Sequence, residues 1–177
     1  MAPPLKFAHV VYRTNDLPRL RHWYLTTLDA SVAFENDFIC FLTYDDEHHR
    51  VAIVNDRRFV PPGRPRAVDH VAYTRRDLRD LLDTHDRLKA VGIEPYWTVN
   101  HGPTTSFYYR DPDGNGVEFQ VDNYARREEL HRFFRSRYFE DNPIGVDVDV
   151  DDLRVRLDGG EPIESLLLRA DVAAAAE

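Results

Sequence analysis

Two histidines stand in matching surroundings. Ala8-His9-Val10-Val11-Tyr12 is followed by Asp16-Leu17, and Asp69-His70-Val71-Ala72-Tyr73 by Asp77-Leu78, so His, Tyr, Asp and Leu all recur at a displacement of 61. Packing alone gives no reason to place imidazole twice at equivalent positions, whereas a shared metal ion does. A carboxylate completes the set. In the apolar run over residues 116–121, alternation puts Val117, Phe119 and Val121 on one face of a strand and Glu118 and Gln120 on the other. A carboxylate turned inward without a partner is costly, and a cation removes that cost. Glu118 stepped back by 66 falls on Ala52, where a fourth donor would otherwise stand. Two imidazoles and one carboxylate leave several coordination positions open, the ligand set of non-haem Fe(II) oxygenases; the same donors accept Mn(II).

These residues need a frame that brings equivalent positions together, and the chain repeats itself in a way that supplies one. Besides the displacement of 61, Phe41, Asp45, Val51 and Asp56 return as Phe107, Asp111, Val117 and Asp122, displaced by 66. Each copy reads as strand, amphipathic helix and three further strands. In the first, residues 7–12 are β-rich, Asp16 caps a helix carrying Leu17, Leu20, Tyr24 and Leu28, and runs over 31–35, 38–44 and 49–55 form a meander. In the second, 68–73 is the strand, Asp77 the cap, and Leu78, Leu81, Leu82, His85 and Leu88 the helical stripe, with Gly92 as its stop. Runs over 93–99, 105–110 and 116–121 follow, the last two joined by the turn Asp111-Pro112-Asp113-Gly114.

The expected fold is α+β: two paired βαβββ modules (about 6–56 and 68–122) forming a cupped mixed sheet, joined by a Pro-rich linker over 57–67. Together they make one catalytic domain, 1–122. Residues 123–177 form a helical extension, with a helix over 126–138 and shorter helices near 150–157 and 163–169. His22, His85 and His131 fall in helical patterns and read as surface or packing residues.

Composition excludes several classes. The 177 residues carry a formal charge of −8 and no Lys/Arg run, so neither nucleic acid nor an anionic membrane surface is an expected partner. A single cysteine, Cys40, leaves no intramolecular disulfide and no Cys-rich metal site. The start, Met1 to Lys6, lacks a signal pattern and no apolar run approaches the ~20 residues of a membrane span, so a cytoplasmic protein is expected. The short chain and its helical tail favour a homo-oligomer.

The sequence resembles the vicinal oxygen chelate superfamily and, within it, the one-domain type I extradiol catechol dioxygenases that act on biphenyl-2,3-diol-like substrates. The specific stretches are Phe41 to His49, Asn100 to Tyr109, and Asp111 to Gly114 leading to Glu118; Asn142-Pro143-Ile144-Gly145-Val146 is similar to tails of that group. The resemblance implies His9, His70 and Glu118 as iron ligands, His49 as the acid/base, and His101 and Tyr108 as residues that hydrogen-bond substrate and oxygen species. Strand alternation from Ala52 instead turns His48 inward, unless the strand starts late or bulges. Trp97, Tyr96 and Phe107 fit either an aromatic pocket or the core. Tyr109 should face away from Tyr108.

The implied activity is Fe(II)-dependent extradiol cleavage of a catechol, with both atoms of O2 entering the product. Two other readings use the same scaffold. One is a glyoxalase-like metal-dependent lyase or isomerase, against which Ala52 speaks; the other is a non-catalytic module that sequesters a small molecule.

Overall fold

The computed structural model describes residues 5–59 and 68–173, so most of the expected linker lies outside the described residues. The chain is mixed α+β and divides into two compact units, Met1–Asp69 with Asp111–Asn115, and His70–Arg110 with Gly116–Glu177.

Unit 1 runs β1 (Val10–Thr14), α1 (Leu17–Leu28), β2 (Ser31–Glu35), β3 (Ile39–Thr43) and β4 (Val51–Asn55). Its sheet has the order β1-β4-β3-β2, with β1 parallel to β4 and the other pairs antiparallel. The Asp16 carboxylate accepts from the Arg19 amide at 3.1 Å and starts α1, a cap worth about 1 kcal/mol. Leu17, Leu20, Trp23, Tyr24, Thr27 and Leu28 form its buried face, which lies on β3 and β4.

Unit 2 repeats the plan with β5 (His70–Thr74), α2 (Leu78–Lys89), β6 (Trp97–Asn100), β7 (Thr104–Arg110) and β8 (Gly116–Asp122). Asp77 caps α2 by accepting from the Asp80 amide at 2.9 Å, and α2 covers β8, whose Val117, Phe119 and Val121 are buried. His85 belongs to this packing, its ring edge-on to Phe107 at 5.8 Å.

The rest of the chain is α3 (Arg127–Phe134), α4 (Arg137–Asp141), β9 (Val146–Asp147), α5 (Val150–Asp158), α6 (Ile163–Leu167) and α7 (Ala170–Ala173). It is more than a string of helices. β9 pairs antiparallel with β6, Val99 opposite Asp147 and Asn100 opposite Val146, and extends the sheet to β5-β8-β7-β6-β9. No helix among the described residues is long and apolar enough to cross a membrane.

The largest differences from the expected extents are at three elements. The first strand begins at Val10, because its parallel ladder starts where β4 does, at Val51. Before it, the chain is held by the Arg50 guanidinium, which donates to the Phe7 and Ala8 carbonyls. β6 begins only at Trp97, behind Pro95, which has no N–H for a ladder. The helix over 126–138 splits in two at Ser136, whose extended backbone (ψ 155°) ends the α3 turn and whose hydroxyl donates to Phe133 O at 2.7 Å.

Candidate metal centre and proton-handling residues

In unit 2, β5 and β8 run parallel with Ala72 opposite Glu118, which brings the strand-initial His70 beside the carboxylate. His70 Nε2 is 2.8 Å from Glu118 Oε2, and Glu118 is 4% exposed, on the face of β8 opposite the apolar residues against α2. β7 pairs antiparallel with β8 and sets Tyr108 opposite Glu118. The His70 ring meets that tyrosine edge-on at 5.2 Å. Burial pushes the Tyr108 phenol well above its ordinary pKa and the neighbouring Glu118 charge adds to the shift, so the hydroxyl keeps its proton. That proton has two acceptors in reach, Glu118 and His101, whose Nε2 is 2.8 Å from the hydroxyl oxygen.

An aromatic wall backs this tyrosine. Trp97 stacks on it at 4.9 Å and 23°, and Tyr96 lies at 6.2 Å. Phe107, one residue earlier, is fully buried in the core, and Tyr109 also turns to the core side, against Phe119 at 5.5 Å. Of the three aromatics with two open readings, Trp97 and Tyr96 lie against Tyr108 and Phe107 lies in the core.

The loop bearing His101 is held by amides. The Asn100 carboxamide is 4% exposed; its Oδ1 accepts from Gly102 N (2.8 Å) and Asn123 Nδ2 (2.9 Å), and its Nδ2 donates to Leu167 O (2.9 Å). Asn123 also donates to Gly102 O at 2.9 Å. Sequence reasoning passed over Asn100 and Asn123. Asn100 opens the recognised stretch Asn100 to Tyr109 and Asn123 follows the last strand of the repeat, but amides carry no chemistry that spacing would reveal.

In unit 1, His9 immediately precedes β1 and His49 lies in the connection ahead of β4. Their rings are 4.4 Å apart, and His49 also stacks on Phe41 at 4.3 Å and 14° and on His48 at 4.4 Å. Because β4 starts at Val51, strand alternation does not govern His48 or His49. His48 is the outer of the two, its side chain 69% exposed. Desolvation lowers the His49 pKa, and the neighbouring His9 and His48 lower it further, which favours a neutral imidazole. Ala52, opposite Val11 and Phe41, is 2% exposed.

Among the described residues no group of three or more His, Cys, Asp or Glu side chains stands close enough to hold one ion. Unit 2 alone brings together two donors, His70 and Glu118; His9 is in unit 1. The pair fits a divalent first-row metal by donor type, one imidazole nitrogen and one carboxylate side by side, the latter buried in surroundings that disfavour an uncompensated charge.

Two Rhodococcus globerulus proteins, biphenyl-2,3-diol 1,2-dioxygenase 2 and biphenyl-2,3-diol 1,2-dioxygenase 3, are each 42% identical to the chain, over 167 and 173 residues, covering 93% of it and 88% of the relative. Among solved structures, lactoylglutathione lyase from Agrobacterium tumefaciens superposes with a TM-score of 0.55 at 17% identity, over 68% of this chain and 96% of its own. The fosfomycin resistance protein FosX from Listeria monocytogenes gives 0.55 at 18% identity, over 73% and 98%, and at such identities the likeness is one of fold. Residues 6–119 match the family model for these proteins, and the chain belongs to the glyoxalase/bleomycin resistance protein/dioxygenase superfamily.

Proposed function

We propose that the chain is an extradiol ring-cleaving dioxygenase acting on a catechol of the 2,3-dihydroxybiphenyl kind, with Fe(II) as its metal. His70 and Glu118 would hold the metal, with His9 as the third ligand that the family resemblance implies. The observation that carries this reading is the run of side chains in unit 2 from His70 through the buried Glu118 to Tyr108 and His101, two donors adjoining two proton-handling groups. The names of the two Rhodococcus relatives supply the substrate class.

When bound, the metal supplies the electron exchange that lets a diol and dioxygen, otherwise slow to combine, react with one another. The protein's part is binding and proton movement. His49, kept neutral by its surroundings, accepts a proton from a catechol hydroxyl at a ring nitrogen and later returns it. Tyr108, held protonated, turns its single O–H from its resting acceptors to oxygen where negative charge develops, a contribution of the oxyanion-hole kind. Trp97 and Tyr96 offer aromatic faces for the substrate's rings and fix the plane of Tyr108.

Anaerobic loading with Fe(II), followed by 2,3-dihydroxybiphenyl and air, tests the proposal. It requires a yellow ring-opened product and one O2 consumed per product. Tight catechol binding without oxygen uptake would replace it with the sequestering reading. Parallel loading with Mn(II) decides the metal.

A further inference from the structure

Arg169 is the most deeply buried cation among the described residues, at 1% exposure, and it lies far along the chain from every residue assigned so far. Its guanidinium forms a paired contact with Asp171, Nε to Oδ1 and Nη2 to Oδ2, both at 2.7 Å, which compensates the buried charge. Its other protons go to backbone carbonyls: Tyr138 O at 2.6 Å, Asn142 O at 2.8 Å and His101 O at 3.5 Å. The plane also covers the Phe133 ring at 5.0 Å.

The carbonyls it gathers belong to the two segments that meet at His101. In the turn over residues 142–145, Asn142 Oδ1 accepts from the Ile144 and Gly145 amides at 3.1 and 2.9 Å, and Asn142 Nδ2 donates to Gly145 O at 2.8 Å. Gly145 has φ 121°, and a Cβ there would stand 2.5 Å from Asn100 O and 2.8 Å from His101 Cα, so only glycine allows this approach. The result places the Ile144 carbonyl on His101 Nδ1. A carbonyl only accepts, so Nδ1 must carry the hydrogen, and the neutral ring then has a bare Nε2 toward Tyr108.

We propose that Arg169 is a positioning residue of the reaction: by clamping the 142–145 turn to the His101 loop, it holds His101 in the Nδ1–H tautomer, with Nε2 as acceptor for the Tyr108 hydroxyl. The inference rests on the dioxygenase reading for its catalytic consequence, whereas the tautomer is a property of the protein alone. The C-terminal extension is thereby part of the proton-handling apparatus.

The test begins with metal-free protein labelled with 15N-histidine, at about pH 8, above the usual histidine range. His101 is assigned by loss of its signals in His101→Gln. A protonated Nδ1 and bare Nε2 are required; a protonated Nε2 overturns the proposal. Arg169→Met should give mixed tautomers and, in the iron-loaded enzyme, a kcat about tenfold lower with KM little changed, the scale of losing a partner that orients an active-site group. Arg169→Lys should recover only part of this, since an ammonium cannot reproduce the planar fork. Arg154→Met is the control for stability alone, because Arg154 bonds Asp83 and Asp86 on α2 at 2.8 Å each. It should keep the wild-type His101 signals and kcat. If Arg169→Met fails to fold, Asn142→Ala loosens the same turn with Arg169 intact and should mix the tautomers likewise. Wild-type signals and kcat in Arg169→Met, or wild-type signals in Asn142→Ala, overturn the proposal. Absence of ring cleavage in the wild type defeats the dioxygenase reading and leaves the tautomer result standing.

Discussion

Unit 1 and unit 2 share a frame and differ in what it carries. In both, the first strand runs parallel to the fourth and the helix begins at a capping aspartate. Where unit 2 has Glu118 opposite Ala72 and Tyr108, unit 1 has Ala52 opposite Val11 and Phe41. Unit 1 carries a cluster of rings, with His49 stacked among His9, His48 and Phe41, while unit 2 carries the carboxylate, the phenol and a fifth strand. The two copies thus differ by two side chains on neighbouring strands while the backbone ladder stays the same.

The largest expected effect comes from making unit 2 resemble unit 1 at its centre. Glu118→Ala should lower ring cleavage more than about 100-fold, beyond the ~10–100-fold typical of losing a partner behind a ligand, together with iron content. Oxygen uptake and metal analysis on the same sample check it, and full iron with wild-type turnover would abolish the distinction between the units. Tyr108→Phe copies Phe41 into unit 2. It should reduce kcat about 100-fold, as for removal of one charge-stabilising donor, while iron content stays at the wild-type level. The reverse exchange, Ala52→Glu, buries a carboxylate opposite Phe41, which has no hydroxyl to donate to it as Tyr108 has for Glu118. A loss of about 2 kcal/mol or more in urea unfolding is expected, and unchanged stability would mean that unit 1 already tolerates a ligand there.

A smaller effect concerns pH. The pKa of His49 is depressed and its neutral form is the base, so kcat/KM should hold as pH falls and drop only below the ordinary histidine value of about 6.5. His49→Asn should remove that limb of the profile, and a limb that persists would assign the base elsewhere. The smallest effect is at Cys40, fully buried in β3, whose thiol burial pushes up to about 11. Iodoacetamide at about pH 8 should label it only after unfolding, and rapid labelling of folded protein would show that unit 1 opens readily.

The repeat made the frame legible, since the displacements of 61 and 66 place β1, β4, β5 and β8 in matching registers. They mislead by one residue on the third strand. Phe41 was matched with Phe107, yet the ladder makes Tyr108 its counterpart, because residues 44–50 join β3 to β4 where the shorter 111–115 joins β7 to β8. That slip separates a core phenylalanine from the tyrosine beside Glu118. Alternation alone likewise favoured His48 over His49 for the inner position, and it had no bearing because the strand starts two residues after His49. β9 was invisible, since two residues give no period to read. Arg169 was invisible for another reason: its partners are carbonyl groups, which every residue has, so nothing in composition marks a guanidinium that holds backbone.

The turn Asp111–Asn115 interrupts unit 2 in sequence and belongs to unit 1 in space. The Asp111 carboxylate accepts from the Tyr24 hydroxyl at 3.1 Å, and Asp113 accepts from Arg19 at 2.6 Å, both residues on α1. These partners are separated by 87 and 94 positions. During synthesis, then, α1 leaves the ribosome long before the acids that secure it have been translated, and unit 1 can be finished only after the His70–Arg110 stretch of unit 2 has been made.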